Sequence, residues 1–237
     1  MHYTIVIPTY KRIKKLERCI RSIRSSTHKD LEIFVLCDNE DLDTYHYLSD
    51  TYAGVVISLL MTKHRYVMGC WNYFTQNHLS MIKDAMVWLV DDVELYPNTL
   101  SEMDACFSKV FPDTDGVVGL SQECPGNPQY TYKPYGQSCL GKKFIERYKE
   151  VDYKVCCPEY IHFFQDEEMY QFSMGLSKFI HCEKAILKHY HPCFIKEEVD
   201  KTHFIVRDGT LQRDQKIFEE RQSRGLIWGD SFMRIKI

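Results

Sequence analysis

Two adjacent carboxylates, Asp91-Asp92, end the apolar run Met86-Val87-Trp88-Leu89-Val90. Side by side at the end of a buried strand, they repel each other unless a positive charge sits between or beside them. A hard divalent cation, held by one or two carboxylates with diphosphate oxygens completing its shell, meets that need. A solvated acidic turn before the next helix is the alternative. Asp41-Leu42-Asp43 and Asp113-Thr114-Asp115 match D-x-D more literally, yet neither follows a buried strand. A second acidic cluster, Gln165-Asp166-Glu167-Glu168, falls where a helix should begin. Acidic residues in a first turn can serve the helix dipole alone. One of them can instead be the general base that takes a proton from an acceptor hydroxyl. His189-Tyr190-His191-Pro192 adds two imidazoles at i and i+2. On a strand these share a face and can approach one metal or phosphate. Tyr10 and Arg12 stand on the first strand–helix turn, where Tyr10 can stack on a base and Arg12 can meet phosphate. The alternative there is a plain surface turn with a basic helix behind it.

The elements that must position these groups follow from hydrophobic spacing. Residues 3–7, 31–36, 55–60 and 86–90 read as short apolar strands, the first of them buried. Residues 11–24 place Ile13, Leu16, Ile20 and Ile23 at three- and four-residue steps, with Lys14, Lys15, Arg18, Arg21 and Arg24 between them. That is an amphipathic helix with a basic outer face. Residues 71–82 read as helical, and another helix starts near Pro97-Asn98 with Leu100, Met103, Phe107 and Val110 on one side. Residues 121–136, rich in Gly, Pro, Gln and Tyr, read as a long loop. Order is expected again over 142–149, in a helix from about Asp166, in short strands at 179–181 and 185–188, and in a helix over 213–224. Strands alternating with helices predict an α/β chain with a mostly parallel sheet. Ligands of such sheets bind beyond the carboxyl ends of the strands. The residues there are Pro8-Thr9-Tyr10, Cys37-Asp38-Asn39 and Asp91-Asp92.

Composition narrows the function classes. The 237 residues are 44% hydrophobic and 14% aromatic, which supports one sizeable core and excludes a disordered chain. Lys and Arg total 30 against 33 Asp and Glu, a formal charge of −3. No strongly basic balance for non-specific nucleic-acid binding is present. The N-terminus runs apolar then basic, the reverse of a secretory signal, and residues 55–61 fall far short of the ~20 needed for a membrane helix. Ten cysteines without a C-x-x-C pair read as reduced, buried thiols of a cytoplasmic protein rather than a disulfide set or a zinc site.

Taken together, these segments resemble a family 2 glycosyltransferase with the GT-A fold, over about residues 3–192. Thr4-Ile5-Val6-Ile7-Pro8-Thr9-Tyr10-Lys11-Arg12 resembles the family's first strand and nucleotide-binding turn. Glu32-Ile33-Phe34-Val35-Leu36-Cys37-Asp38-Asn39 resembles its second strand and base-recognising carboxylate. Leu89-Val90-Asp91-Asp92-Val93-Glu94-Leu95 with Pro97 resembles the metal-binding D-x-D segment. Phe163-Phe164-Gln165-Asp166-Glu167-Glu168-Met169 resembles the E-D-x-x-L segment, and Ala185-Ile186-Leu187-Lys188-His189 the later strand ending in His. Each is weak alone; five in order are specific.

The resemblance implies a single GT-A domain over 1–237. Its nucleotide-sugar half is 1–111, its smaller acceptor-side half 112–195, and a C-terminal extension follows over 196–237. It implies Pro8, Thr9, Tyr10, Arg12, Asp38 and Asp91 on the donor, with Arg65 as a weaker donor contact. Asp92, with Asp91, His189 and His191, would hold Mn2+ or Mg2+. Asp166 would be the catalytic base, with Glu167 in reserve. Val90 replaces the first acid of D-x-D, Gln165 the acid before Asp166, and Cys37 an acid before Asp38. The implied reaction is inverting transfer from a nucleotide sugar, a UDP-sugar favoured. The default acceptor is a cell-surface glycan or lipid-linked intermediate, a hydroxylated base in DNA being the alternative. Trp88, Tyr130, Tyr132 and Tyr135 are available to pack sugar or base faces. Peripheral membrane attachment through the basic helix is compatible with the cytoplasmic reading. A nucleotidyltransferase would want a Gly-rich turn after the first strand, which is missing, and a silent binding protein has no need of both acidic sites.

Overall fold

Alternation along the first apolar run decides the two faces of the sheet. β1 (Tyr3–Thr9) is buried throughout. Ile5 and Ile7 enter one core while Val6 enters the other, because successive strand side chains point to opposite faces. α1 (Ile13–Arg24) buries Leu16, Cys19, Ile20 and Ile23 against the first core and ends with Arg21 and Arg24 in its last turn, where cations suit the dipole. β2 (Leu31–Cys37), α2 (Leu42–Thr51), β3 (Ile57–Leu60), α3 (Tyr66–Asn77) and β4 (Ala85–Trp88) complete the N-terminal half. The computed structural model describes residues 1–130 and 132–229, without the side chains of 197 and 205–208. The expected C-terminal extension therefore lies partly outside the described residues, from 230 onward.

The second half contains β5 (Val93–Leu95), α4 (Thr99–Val110), β6 (Val117–Glu123), β7 (Ser138–Gly141), α5 (Lys142–Glu146), α6 (Gln165–Gly175), β8 (Phe179–His189) and α7 (Lys201–Ser223). One sheet runs in the order β3-β2-β1-β4-β7-β6-β8-β5. β1 pairs in parallel with β2 and β4, β2 with β3, and β6 with β8. β7 runs antiparallel between β4 and β6, and β5 antiparallel to β8. The chain is α/β as expected, with the parallel strands concentrated in the first half.

Several boundaries differ from the spacing argument. The helix expected over 71–82 starts at Tyr66, and that expected over 213–224 starts at Lys201, where Asp200 accepts from the His203 N–H as its cap. The two short strands at 179–188 are one strand, β8, with a register shift against β6 at Leu120/Ser121. β6 extends to Glu123, so the irregular segment begins later than 121. Trp88 is not available to a sugar: it is fully buried, stacked on Trp71 at 4.6 Å. Tyr135 is likewise buried, stacked on Tyr170 at 4.4 Å. Eight of the ten cysteines are buried. Asp41 caps α2 by accepting from Thr44, the structural use of that D-x-D match.

Candidate active site

The carboxyl ends of β1, β2 and β4 open into a cavity of about 330 Å³. Pro8, Thr9, Tyr10, Arg12, Asp38, Asp91, Asp92, His189 and His191 all line it. Residues from distant parts of the sequence thus converge. Of the sequence candidates, Arg65, Asp166 and Glu167 lie outside its wall.

The positive charge demanded by Asp91-Asp92 is supplied in the chain itself. Arg12 Nη1 donates to Asp91 Oδ1 (2.7 Å), Nη2 to Asp92 Oδ2 (3.1 Å) and Nε to Asp200 Oδ2 (2.9 Å). Burial opposes the Arg12 charge, but the three carboxylates hold the guanidinium protonated. Thr9 Oγ1 donates to Asp91 Oδ2 at 2.9 Å. Burial still pushes the Asp91 carboxyl up, against the pull of Arg12. Asp92 goes the other way: burial is outweighed by His189, Arg12 and His191, and its carboxyl is held well below the usual range. His189 Nε2 stands 3.3 Å from Asp92 Oδ1, and Nδ1 is 2.9 Å from Gln122 Oε1. Burial, helped by the neighbouring His189, pulls the His191 imidazole down to about 4. Its ring lies 5.3 Å from that of His189.

One atom breaks the pattern of satisfaction. Asp92 Oδ1 is buried and accepts no hydrogen bond among the described residues. A buried polar atom without a partner costs free energy and asks for an explanation. A carboxylate oxygen next to an imidazole nitrogen is a donor pair that Mn2+ accepts. No group of three His, Cys, Asp or Glu among the described residues is gathered around a metal position. Asp92 and His189 fit a cation whose other ligands come from elsewhere.

The other part of the cavity is aromatic. Asp38 is buried at the end of β2, accepting from the Glu40 N–H (3.0 Å) and lying 2.5 Å from His64 Nδ1. Tyr10 packs edge-on to His64 at 5.4 Å, and Tyr66 does so from the other side at 4.3 Å. Arg65 faces a separate cavity and lies over the Tyr73 ring at 4.9 Å.

Asp166 opens α6, after Phe164 in the left-handed region at φ 70°. Its half-buried carboxylate faces Gly136 and Gln122: a Cβ on Gly136 would stand 3.7 Å from Asp166 Oδ2 and 3.2 Å from Gln122 Nε2. Gln122 therefore lies between the surroundings of Asp166 and His189. Burial pushes the Asp166 carboxyl up to about 6, only partly offset by backbone N–H groups at the start of α6. The dipole does not win outright at this helix end. Glu167 accepts from Tyr135 Oη at 2.5 Å, and Glu168 is engaged by Tyr160 and Arg221. Of the three acids, Asp166 is the one to which no described side chain donates a hydrogen bond.

The sequence reading missed the contribution of the C-terminal helix. Thr202, His203 and Leu211 line the cavity, as do His162 and Phe163 before α6. Asp214, buried in α7, accepts from the N–H groups of Ile161, His162 and Phe163 at 2.7–3.1 Å and so fixes that segment. Asp200-Lys201-Thr202-His203 carried a readable capping signal; nothing local announced Asp214.

The architecture has counterparts. The chain has no significant sequence match among curated proteins. Its structure is similar to that of S. aureus TarS 1–349, with a TM-score of 0.59 at 12% identity over 95% of this chain and 74% of that one. It is similar to the mannosyltransferase PcManGT from Pyrobaculum calidifontis, in complex with GDP-Man and Mn2+, with a TM-score of 0.62 at 13% identity over 92% and 64%. GalNAc-T7 with UDP, GalNAc and Mn2+ gives 0.62 at 13% over 81% and 44%. The chain spans well under the full length of each. The sequence profile described as glycosyl transferase family 2 matches residues 4–166, which contain the ends of β1, β2 and β4 and the start of α6. The chain belongs to glycosyl transferase family 2, and it is a glycosyltransferase of the GT-A fold.

Proposed function

We propose that the protein moves a sugar from a nucleoside-diphosphate sugar, a UDP-sugar by preference, to an acceptor hydroxyl with inversion, assisted by Mn2+ or Mg2+. The observation that carries this is Asp92 Oδ1, buried without a hydrogen bond among the described residues and 3.3 Å from His189 Nε2, in the same cavity as Asp38, Tyr10 and His64. Asp92 and His189 would hold the cation, with His191 as a third contact. When bound, it offsets charge developing on the leaving diphosphate. Arg12 supplies a fixed positive charge beside the same carboxylates. Asp38 accepts the N3–H of uracil with a remaining lone pair, and Tyr10 stacks on the ring. Structures similar to this one hold UDP-GlcNAc, UDP with Mn2+, or GDP-Man with Mn2+, which supports a nucleotide-sugar donor.

Asp166 is the base in this reading. It removes the proton from the acceptor hydroxyl, whose oxygen forms the new bond to the anomeric carbon as the bond to the diphosphate breaks. One displacement on the opposite face inverts that carbon. The acceptor is a glycan or lipid-linked sugar. No helix among the described residues is long and apolar enough to cross a membrane.

Incubation with a panel of nucleotide sugars and Mn2+, with released nucleotide resolved by HPLC, tests the reaction. UDP release that stops in excess EDTA is expected. Full activity in EDTA removes the cation from the reading. Calorimetry with UDP, GDP, CDP and ADP tests the base, and a clear purine preference overturns the role of Asp38.

A further inference from the structure

A second cavity, about 350 Å³, adjoins the donor cavity at the start of α3, where His64 and Tyr66 belong to both walls. Its chemistry is different. Lys63, Arg65 and Lys154 line it, and none of its described lining residues is acidic. Arg65 and Lys154 are half-buried, and Arg65 Nε is buried without a hydrogen-bond acceptor among the described residues. The nearby carboxylates pair with other groups than these three cations: Asp38 with His64, Asp152 with Gln76 and Glu159 with Arg221. α3 adds to the same sign. Its N-cap is Arg65, which makes no side-chain cap, and its first turn has no acid. Cations gathered at a helix start, with no acid in the wall itself, repel one another, and an anion relieves that.

We propose that this cavity binds a phosphate-class anion beside the donor, held by Arg65, Lys63 and Lys154. Arg65 offers a planar fork suited to phosphate oxygens, and the lysines supply point charges. The opposite wall is Cys157, Pro158, Tyr160 and Ile161, which runs directly into His162 and Phe163 of the donor cavity. A phosphate held here therefore sits next to the transfer site, and the group is either carried by a phosphorylated acceptor or is a free anion. The neighbouring role rests on the donor reading; the binding itself does not.

The test is calorimetry on the full chain in metal-free buffer. UDP is titrated first, which examines the donor reading by itself. Inorganic pyrophosphate is then titrated into the UDP-saturated protein. It should bind one to one, with affinity falling as salt is raised. The double variant Lys63→Gln, Lys154→Gln should bind pyrophosphate about tenfold more weakly, the loss expected when charge-assisted hydrogen bonds are removed, with UDP affinity unchanged. No binding to the UDP-saturated protein, or equal binding by the variant, overturns the proposal. Glucose 6-phosphate against inorganic phosphate separates the sources: tighter sugar-phosphate binding assigns the anion to an acceptor, equal binding to a free ion.

Discussion

Two buried acidic centres, built from similar groups, face opposite fates. At the strand ends, Asp91 and Asp92 share Arg12 with Asp200, and Asp92 Oδ1 accepts no hydrogen bond among the described residues, with only His189 Nε2 3.3 Å away. Behind α7, Glu168 takes Tyr160 and Arg221 Nε on one oxygen and Arg221 Nη2 and the Trp228 N–H on the other. Asp214 beside it holds three successive backbone N–H groups. The second centre is saturated and closed; the first is left incomplete and open to a cavity. A buried charge that finds every partner inside the fold specifies structure, whereas one left short is ready for a ligand. Substitutions at the open centre should therefore change turnover, and those at the closed centre should change stability.

The largest effect is expected on the chemical step. General-base catalysis is typically worth ~10²–10⁴-fold, so Asp166→Asn should lose about that much in transfer rate while donor affinity stays nearly intact. Glu167→Gln is the control, because Tyr135 already occupies that carboxylate. The pH profile sharpens the assignment. With its carboxyl at about 6, Asp166 is protonated and inactive in acid. kcat/KM should rise through that pH and level above it, and the Asn variant should lose this limb. If Glu167→Gln abolishes transfer and Asp166→Asn barely changes it, the neighbouring acid is the base.

Next in size is Asp92→Asn, which removes the open oxygen's charge. Loss of such transition-state stabilisation costs about 10²–10³-fold in turnover. Folding should hardly notice, because Arg12 keeps Asp91 and Asp200, and one of two adjacent like charges is gone. Denaturant unfolding of both proteins checks this. A large stability loss with normal turnover would put Asp92 with the closed centre.

Asp214→Asn should do the reverse. The amide offers one acceptor oxygen where two now meet the Ile161, His162 and Phe163 N–H groups, and its NH2 confronts other donors. Leaving buried donors unsatisfied costs about 1–3 kcal/mol, visible in urea unfolding. Unaltered stability would break the comparison.

The same contrast explains what could be read from the sequence. The open centre was legible because each member follows its own apolar strand: Pro8-Thr9-Tyr10 after β1, Asp38 after β2, Asp91-Asp92 after β4. Period and position carry that information locally. His64 and Gln122 reach the site only through tertiary packing, on Asp38 and His189, and no spacing marks them. α7 was half seen, since its near-absent amphipathic pattern hides a helix that contributes buried polar groups rather than an apolar stripe. Asp200 and Asp214 lie in that helix or at its cap, about 110–120 positions beyond Asp91 in the chain, a separation that local pattern rules do not span.

The smallest effect comes from a third carboxylate, Asp115, more open to solvent than Asp91 and Asp92 or Glu168 and Asp214. It accepts from Arg147 Nε (2.7 Å) and Nη2 (2.6 Å) and pairs with Lys178 at 2.9 Å, tying the turn before β6 to the end of α5 and the approach to β8. Hydrogen bonding from Arg147, stronger than the opposing burial, pulls its carboxyl down to about 2. An unfolded Asp titrates near ~3.9. The folded form thus binds its proton less readily than the unfolded form, and the ion pairs add stability above about pH 4. That addition disappears as pH falls through about 4 to about 2. Solvent screening keeps it to about 0.5–1 kcal/mol. Asp115→Asn should be less stable than the natural protein by this amount at pH 7 in urea, and the gap should narrow steadily from pH 4.5 to pH 3 in the range where unfolding is reversible. Transfer rate at pH 7 should be unchanged, because nothing in this cluster lines the donor cavity. A gap that stays constant down to pH 3 would mean that the contribution of Asp115 does not depend on its charge, and the carboxylate would then act through shape and packing alone.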